Sequence, residues 1–133
     1  MQPEMGVEFR LTGHELQPSE ITGMLDLIPT RTWLEGESIQ RTASRYKDNG
    51  WCLSTANGKQ SIHLEDPIRD LLQVLLPKAD RIRRVSADHG LYGEMSCVIY
   101  LRDEEPSICL SPETVTALSQ LGAGIDIDII LTI

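Results

Sequence analysis

The stretch from Gly124 to Ile133, GIDIDIILTI, restricts the fold more than any other. Ile125, Ile127, Ile129, Leu131 and Ile133 alternate with Asp126, Asp128, Ile130 and Thr132, the period-two pattern of a strand buried on one face. An isoleucine row of this kind is costly to leave in water, so the segment is expected as a central strand covered by helices. Its aspartates should then look out from the opposite face. Standing about 7 Å apart along the backbone, they repel weakly in water and more strongly in a drier setting. They should be wet, paired or bound to a cation, and Arg10 or Arg102 is a candidate to neutralise one of them.

The rest of the chain supplies the partners for such a strand. Val7, Phe9 and Leu11 alternate with Glu8, Arg10 and Thr12 in a first strand ended by Gly13. Pro18-Ser19-Glu20 leads into Ile21, Met24, Leu25 and Ile28, a short amphipathic helix weakened by Gly23 and stopped by Pro29. Residues 30–50 lack a sustained period and read as a long surface loop, a common setting for function. Asn49-Gly50 is expected as a turn into the strand Trp51-Cys52-Leu53-Ser54, with Trp51 in the core, and Asn57-Gly58 as the next turn.

From Pro67, the positions Ile68, Leu71, Leu72, Leu75 and Leu76 follow helical spacing, with Asp66 as the expected cap. Pro77 should break this helix, and Ala79, Ile82 and Val85 begin an abutting one, with His89 near its end. Met95, Cys97, Ile99 and Leu101 make one side of a further strand. A polar connection through Asp103 and Pro106 then suggests a hairpin to a strand at Ile108 and Leu110. Ser111 caps a helix through Val115, Leu118 and Leu121, and Gly122 and Gly124 release the chain into the terminal strand. The expected class is α+β: a two-layer, ferredoxin-like sheet of about five strands, with helices mainly on one face, in a single domain spanning 1–133.

Twenty acidic against twelve basic residues give a net charge of −8, which opposes a polyanion, so nucleic acid is not expected and a basic protein partner fits better; without a run of about eighteen apolar residues, no membrane is expected either. Lys78, Arg81, Arg83 and Arg84 are a local exception on the second of the paired helices. Cys52, Cys97 and Cys109 form no CxxC pair, and each lies in a strand-like run, which points to a reducing cytoplasm. No basic start followed by an apolar segment marks export. His14-Glu15 lacks a second histidine, His63-Leu64-Glu65 lacks a PCxxC, and no phosphate loop or nucleophile elbow occurs. No catalytic residue, metal ligand or cofactor is therefore assigned.

The combination of Leu11-Thr12-Gly13, Pro29-Thr30-Arg31-Thr32-Trp33 followed by Gly36, Trp51-x-Leu53-Ser54, and Leu121-Gly122-Ala123 with Ile125-Asp126-Ile127-Asp128 resembles the bacterial domain-of-unknown-function family 4279. The resemblance spans nearly the whole chain and implies a bacterial, cytoplasmic context without a mechanism.

Function is therefore read from surfaces. The sheet face away from the helices should hold Glu8, Arg10, Cys52, Ser54, Ser96, Val98, Tyr100, Arg102, Cys109, Asp126 and Asp128. Trp33 is weighed between the core and an exposed contact anchor, and Arg31 between stacking on an aromatic ring, holding an anion and a plain ion pair. Arg31, Trp33, Arg10, Tyr100, Arg102, Asp126 and Asp128 are the candidate partner-binding residues. The expected function is non-catalytic protein binding, as an immunity-type or antitoxin inhibitor of a basic partner. The alternatives are a small enzyme or small-molecule-binding domain with a concave pocket, and a homo-oligomer formed through edge strands or the sheet face.

Overall fold

The computed structural model describes residues 1–55 and 59–131. Strands β1 (Glu4–Gly13), β2 (Arg31–Trp33), β3 (Asn49–Leu53), β4 (Lys59–Gln60), β5 (Tyr92–Leu101) and β6 (Ala123–Leu131) form one sheet, and the helices are α1 (Pro18–Leu25), α2 (Glu65–Leu75), α3 (Ala79–His89) and α4 (Pro112–Leu121). The sheet order is β2-β3-β1-β5-β6, with β4 beside one end of β1. All pairings are antiparallel except β5 with β6, which is parallel. The chain is thus α+β with one mixed, open sheet, and this strand order gives the ferredoxin-like expectation no support. The turn expected at Asn57-Gly58, and the last two positions of the terminal alternation, Thr132 and Ile133, lie outside the described residues.

The alternation in β1 and β5 does what its period dictates. Met5, Val7, Phe9, Leu11, Met95, Cys97 and Ile99 are all buried, and Trp51 joins them from β3. They share one apolar cluster with Ile21 and Leu25 of α1, Ile68 and Leu71 of α2, Ile82 of α3, and Leu118 and Leu121 of α4. Each such side chain contributes about 1.5–3 kcal/mol on burial. Trp51 also satisfies its indole, which donates to Thr22 Oγ1 at 3.1 Å.

The helix ends follow local chemistry, with two departures. Ser111 Oγ accepts from the Thr114 N–H, Pro112 occupies the first turn of α4, and Gly122 closes that helix in the left-handed region. Gly90 closes α3 in the same way. Pro77 sits in a 3-10 turn, Leu76–Lys78, that separates α2 from α3 as its missing N–H requires. Asp66, however, is inside α2 and caps nothing, because Leu64, held by donation from its N–H to the Ser107 carbonyl, starts the helix earlier. Likewise α1 stops at Leu25 on a left-handed Asp26, leaving Ile28 outside the helix and exposed, while Met24 lies on the solvent side of the helix itself.

Three larger expectations are corrected. Asn49 and Gly50 belong to β3, opposite Gly13 and Thr12, and make no turn. Residues 102–111 include no strand, so β5 has no hairpin partner there; the chain returns through α4, the crossover that a parallel pair needs, and Cys109 is exposed in that connection. Finally, β6 is an edge strand and not a central one. Of its residues, only Ala123 and Ile127 pack against the core, while Ile125 is 41% exposed, Ile129 52% and Leu131 77%. Faces were legible from alternation, since Ile125, Ile127 and Ile129 do register with Met95, Cys97 and Ile99, but the helical layer covers the edge strand only in part, at Ala123 and Ile127.

Candidate functional site

Register fixes what stands on the sheet face opposite the core. Rows run across the strands as Trp33, Gly50, Thr12 and Tyr92; then Arg31, Cys52, Arg10 and Glu94; then Glu8, Ser96 and Asp126; then Gly6, Val98 and Asp128; then Glu4, Tyr100 and Ile130. Neighbouring side chains in a row project to the same side, so long side chains can meet along and between rows.

At the β2 and β3 end, they form a closed polar and aromatic cluster. Glu8 Oε1 accepts from Arg10 Nε at 2.6 Å and from an Arg31 Nη at 2.9 Å. The Arg31 guanidinium lies 4.6 Å over the Trp33 ring and that of Arg10 5.8 Å from it. Tyr46 stacks on Trp33 with ring centroids 4.8 Å apart, and its hydroxyl accepts from Arg31 at 3.3 Å. The ring of Trp33 lies over Gly50, where an added Cβ would come within 2.0 Å of Cζ2. Only glycine at position 50 admits the indole.

Trp33 is consequently 6% exposed, so of its two readings the exposed anchor fails, although the ring is buried on the polar face and stands outside the core cluster; Cys52 beside it is fully buried. The loop 34–48 brings in Tyr46 and is itself held by the Ser38–Arg45 bridge and by Asn49, whose side-chain oxygen accepts from the Glu35 N–H. Arg31 thus stacks and pairs at once.

Electrostatics follow from this packing. Burial pushes the Glu8 carboxyl up, but the charges of Arg10 and Arg31 and the hydrogen bonds from Arg10 and Cys52 outweigh it, leaving Glu8 below the ordinary carboxylate range. Burial, then the charge of Glu8 and its hydrogen bond, push the Cys52 thiol up to about 12. Cys97 reaches about 12 through burial and the charges of Asp126 and Glu94. Both buried thiols are therefore held in the protonated form at neutral pH.

The remainder of the face is acidic and wetter. Arg102, at the far end, pairs with Glu4 at 3.0 Å, near Tyr100. With Arg10 and Arg31 held by Glu8, the guanidinium expected beside Asp126 or Asp128 is engaged elsewhere. Among the described residues, Glu94, Asp126 and Asp128 have no ion pair within 4.0 Å, and no group of three or more potential metal ligands occurs. A hollow of about 200 Å³ opens between the rows, lined by Gly6, Glu8, Arg10, Ser96, Val98 and Asp128. Gly6 keeps its floor low, since a Cβ there would press Val98 Cγ1 at 3.1 Å.

Of the expected site residues, the fold brings Arg10, Arg31 and Trp33 into one cluster, sets Asp126 and Asp128 on the same face at the edge strand, and leaves Tyr100 and Arg102 at the opposite end. Glu8, Tyr46 and Gly50 were not on that list. Glu8 was marked by its place on the polar side of β1, two residues from Arg10; nothing local to Tyr46 or Gly50 marked either. A second concavity, about 360 Å³, lies between α2 and α4 over Arg69, Leu72, Gln73 and Ala117, with Glu65 accepting from the Ser111 N–H at its rim. That bond, before any other contact, holds the Glu65 carboxyl below its ordinary value.

The family model described as Domain of unknown function (DUF4279) matches residues 3–132. The chain belongs to that family. No curated protein and no solved structure matches it. Family membership agrees with the motifs quoted above, and two of them acquire a physical meaning here: Arg31-Thr32-Trp33 builds the cation–π cluster, and Ile125-Asp126-Ile127-Asp128 builds the acidic edge. No helix is long and apolar enough to cross a membrane among the described residues.

Proposed function

We infer that this DUF4279 chain is a non-catalytic binding domain that engages a basic protein partner through its polar sheet face, in the manner of a bacterial, cytoplasmic antitoxin or immunity-type inhibitor. The carrying observation is the division of charge on that face. Every arginine on it is already held by Glu4 or Glu8, while Glu94, Asp126 and Asp128 remain without an ion pair among the described residues. A partner's lysine or arginine would complete them, and the hollow beside Asp128 has room for the aliphatic stem of such a side chain. The packed Trp33 cluster fixes the side chains of Arg10 and Arg31 before association, which lowers the ordering cost at that end of the face. The buried thiols offer no competing chemistry.

A photo-crosslinking residue at Ser96 samples this face, and one at Val115, exposed on α4, samples the helical side. In the native host, a discrete protein adduct at 96 and none at 115 is the expected result. Adducts at 115 alone, or at neither position, would defeat the reading. A small-molecule site is the second reading, favoured by the groove between α2 and α4; it predicts that a ligand protects Arg69 and Gln73 and leaves the Ser96 face untouched.

A further inference from the structure

The edge strand β6 is unusual in how little protects it. It runs from Ala123 to Leu131 with unbroken register against β5, so no bulge turns it aside, and it contains neither proline nor lysine. Among the described residues, β5 is its only strand partner. Its outer backbone groups therefore face water beside exposed Ile125, Ile129 and Leu131 on one side of the sheet and Asp126, Asp128 and Ile130 on the other. An unbulged edge of this length and apolarity is a template for an added strand.

Charge decides which strand. A second copy pairing antiparallel in full overlap would set Asp126 opposite Asp128, and the next register in either direction would set one aspartate opposite its own counterpart. Parallel pairing of the same edge turns the second copy's faces over, so that its aspartates would fall beside the isoleucine row. Like charges directly opposite across a ladder are destabilising, so the aspartates disfavour the copy that the isoleucines would otherwise invite.

We propose that β6 is a strand-addition site for an extended segment of another protein in which lysine or arginine alternates with aliphatic residues. The segment's basic side would meet Asp126 and Asp128, with Glu94 behind them on β5, and its aliphatic side would extend the row of Ile125, Ile129 and Leu131. Main-chain hydrogen bonds along β6 supply the attachment, and the alternation supplies specificity. This assignment rests on the basic-partner reading and names the feature of the partner that the chain recognises.

The test uses the full chain and short peptides of equal length: one alternating lysine with valine, one of the same composition with its lysines in a block, and one alternating glutamate with valine. Calorimetry gives affinities and amide exchange locates the contact. The alternating lysine peptide should bind about tenfold or more tighter than the other two, the order expected when two opposite-charge cross-strand pairs are gained or lost, and should slow exchange along β6. The variant Asp126→Lys with Asp128→Lys, its fold checked by circular dichroism, should reverse the preference toward the glutamate peptide. Equal binding of the blocked peptide, or protection away from β6, overturns strand addition and leaves a merely electrostatic face, the basic-partner reading intact. Failure of both lysine peptides to bind also overturns it, as does a concentration-dependent dimer whose β6 amides are protected without peptide. The Ser96 crosslink reads the face and the peptides read the edge, so the two can fail separately.

Discussion

Gly50 is the position where a single methyl group should disturb the site most. An alanine Cβ would lie 1.9 Å from Trp33 Cε2, far inside contact distance, so Gly50→Ala must expel the indole from its bed. Leaving that position forfeits the Tyr46 stack, about 1 kcal/mol, and the Arg31 cation–π contact, about 0.5–1 kcal/mol. Re-exposing about half of an aromatic side chain that buries roughly 200 Å², at about 25 cal/mol per Å², adds about 2.5 kcal/mol. Partial relaxation brings the expected loss to about 2–4 kcal/mol, close to the cost of deleting a buried tryptophan. Once Trp33 is alanine, the obstacle is gone, and Gly50→Ala should be neutral or stabilising by about 0.5–1 kcal/mol, because glycine in a strand carries the larger entropy of unfolding. Urea denaturation followed by far-UV circular dichroism on both singles and the double variant should therefore give a coupling of about 3 kcal/mol. Equal destabilisation by Gly50→Ala in both backgrounds would refute the argument that the ring and the glycine are one device.

Glu8→Gln should lower the urea midpoint at neutral pH by roughly 1 kcal/mol in free energy, since it leaves Arg10 and Arg31 without their shared acceptor. The folded Glu8 value is depressed, so its contribution is full above the unfolded glutamate range and fades as pH falls through the folded one; in a denaturation series the midpoints of both proteins should converge as pH falls below the unfolded glutamate range. A thiol reagent at neutral pH should label Cys109 alone in the native chain, and all three cysteines only in denaturant, with Cys109→Ser abolishing native labelling. Ser111→Ala should cost about 1 kcal/mol by removing the acceptor for the Thr114 N–H, and Ser111→Thr should restore most of it in the same thermal melts.

Local chemistry was legible where local chemistry decides. The alternation of β1 and β5 named the buried row correctly because the pleat admits no other assignment once one face is covered. Pro77 announced the break between α2 and α3, and Ser111-Pro112 with Gly122 marked both ends of α4, because those residues act within one turn of themselves. Arg10, Arg31 and Trp33 could be singled out as residues of a kind that makes contacts, but what they contact could not. Tyr46 arrives from a loop with no period of its own, and Gly50, which reads as half of an Asn-Gly turn, is a strand residue because Thr12 and Trp33 pair on either side of it.

The terminal alternation shows where the division falls. By itself, GIDIDIILTI determines a strand, its two faces, and the side on which the aspartates stand. Whether that strand lies at the centre or the edge depends on which neighbours take its backbone hydrogen bonds and how far the helices extend, and both are set by residues distant in the chain. Tertiary structure alone therefore turned an apparent core segment into an exposed border, with Ile129 and Leu131 in water on the face opposite the acidic row. The same long-range packing drew Trp33 out of the solvent and under Arg31, because an indole is buried only where another segment, here the one carrying Tyr46 and Gly50, leaves it a place.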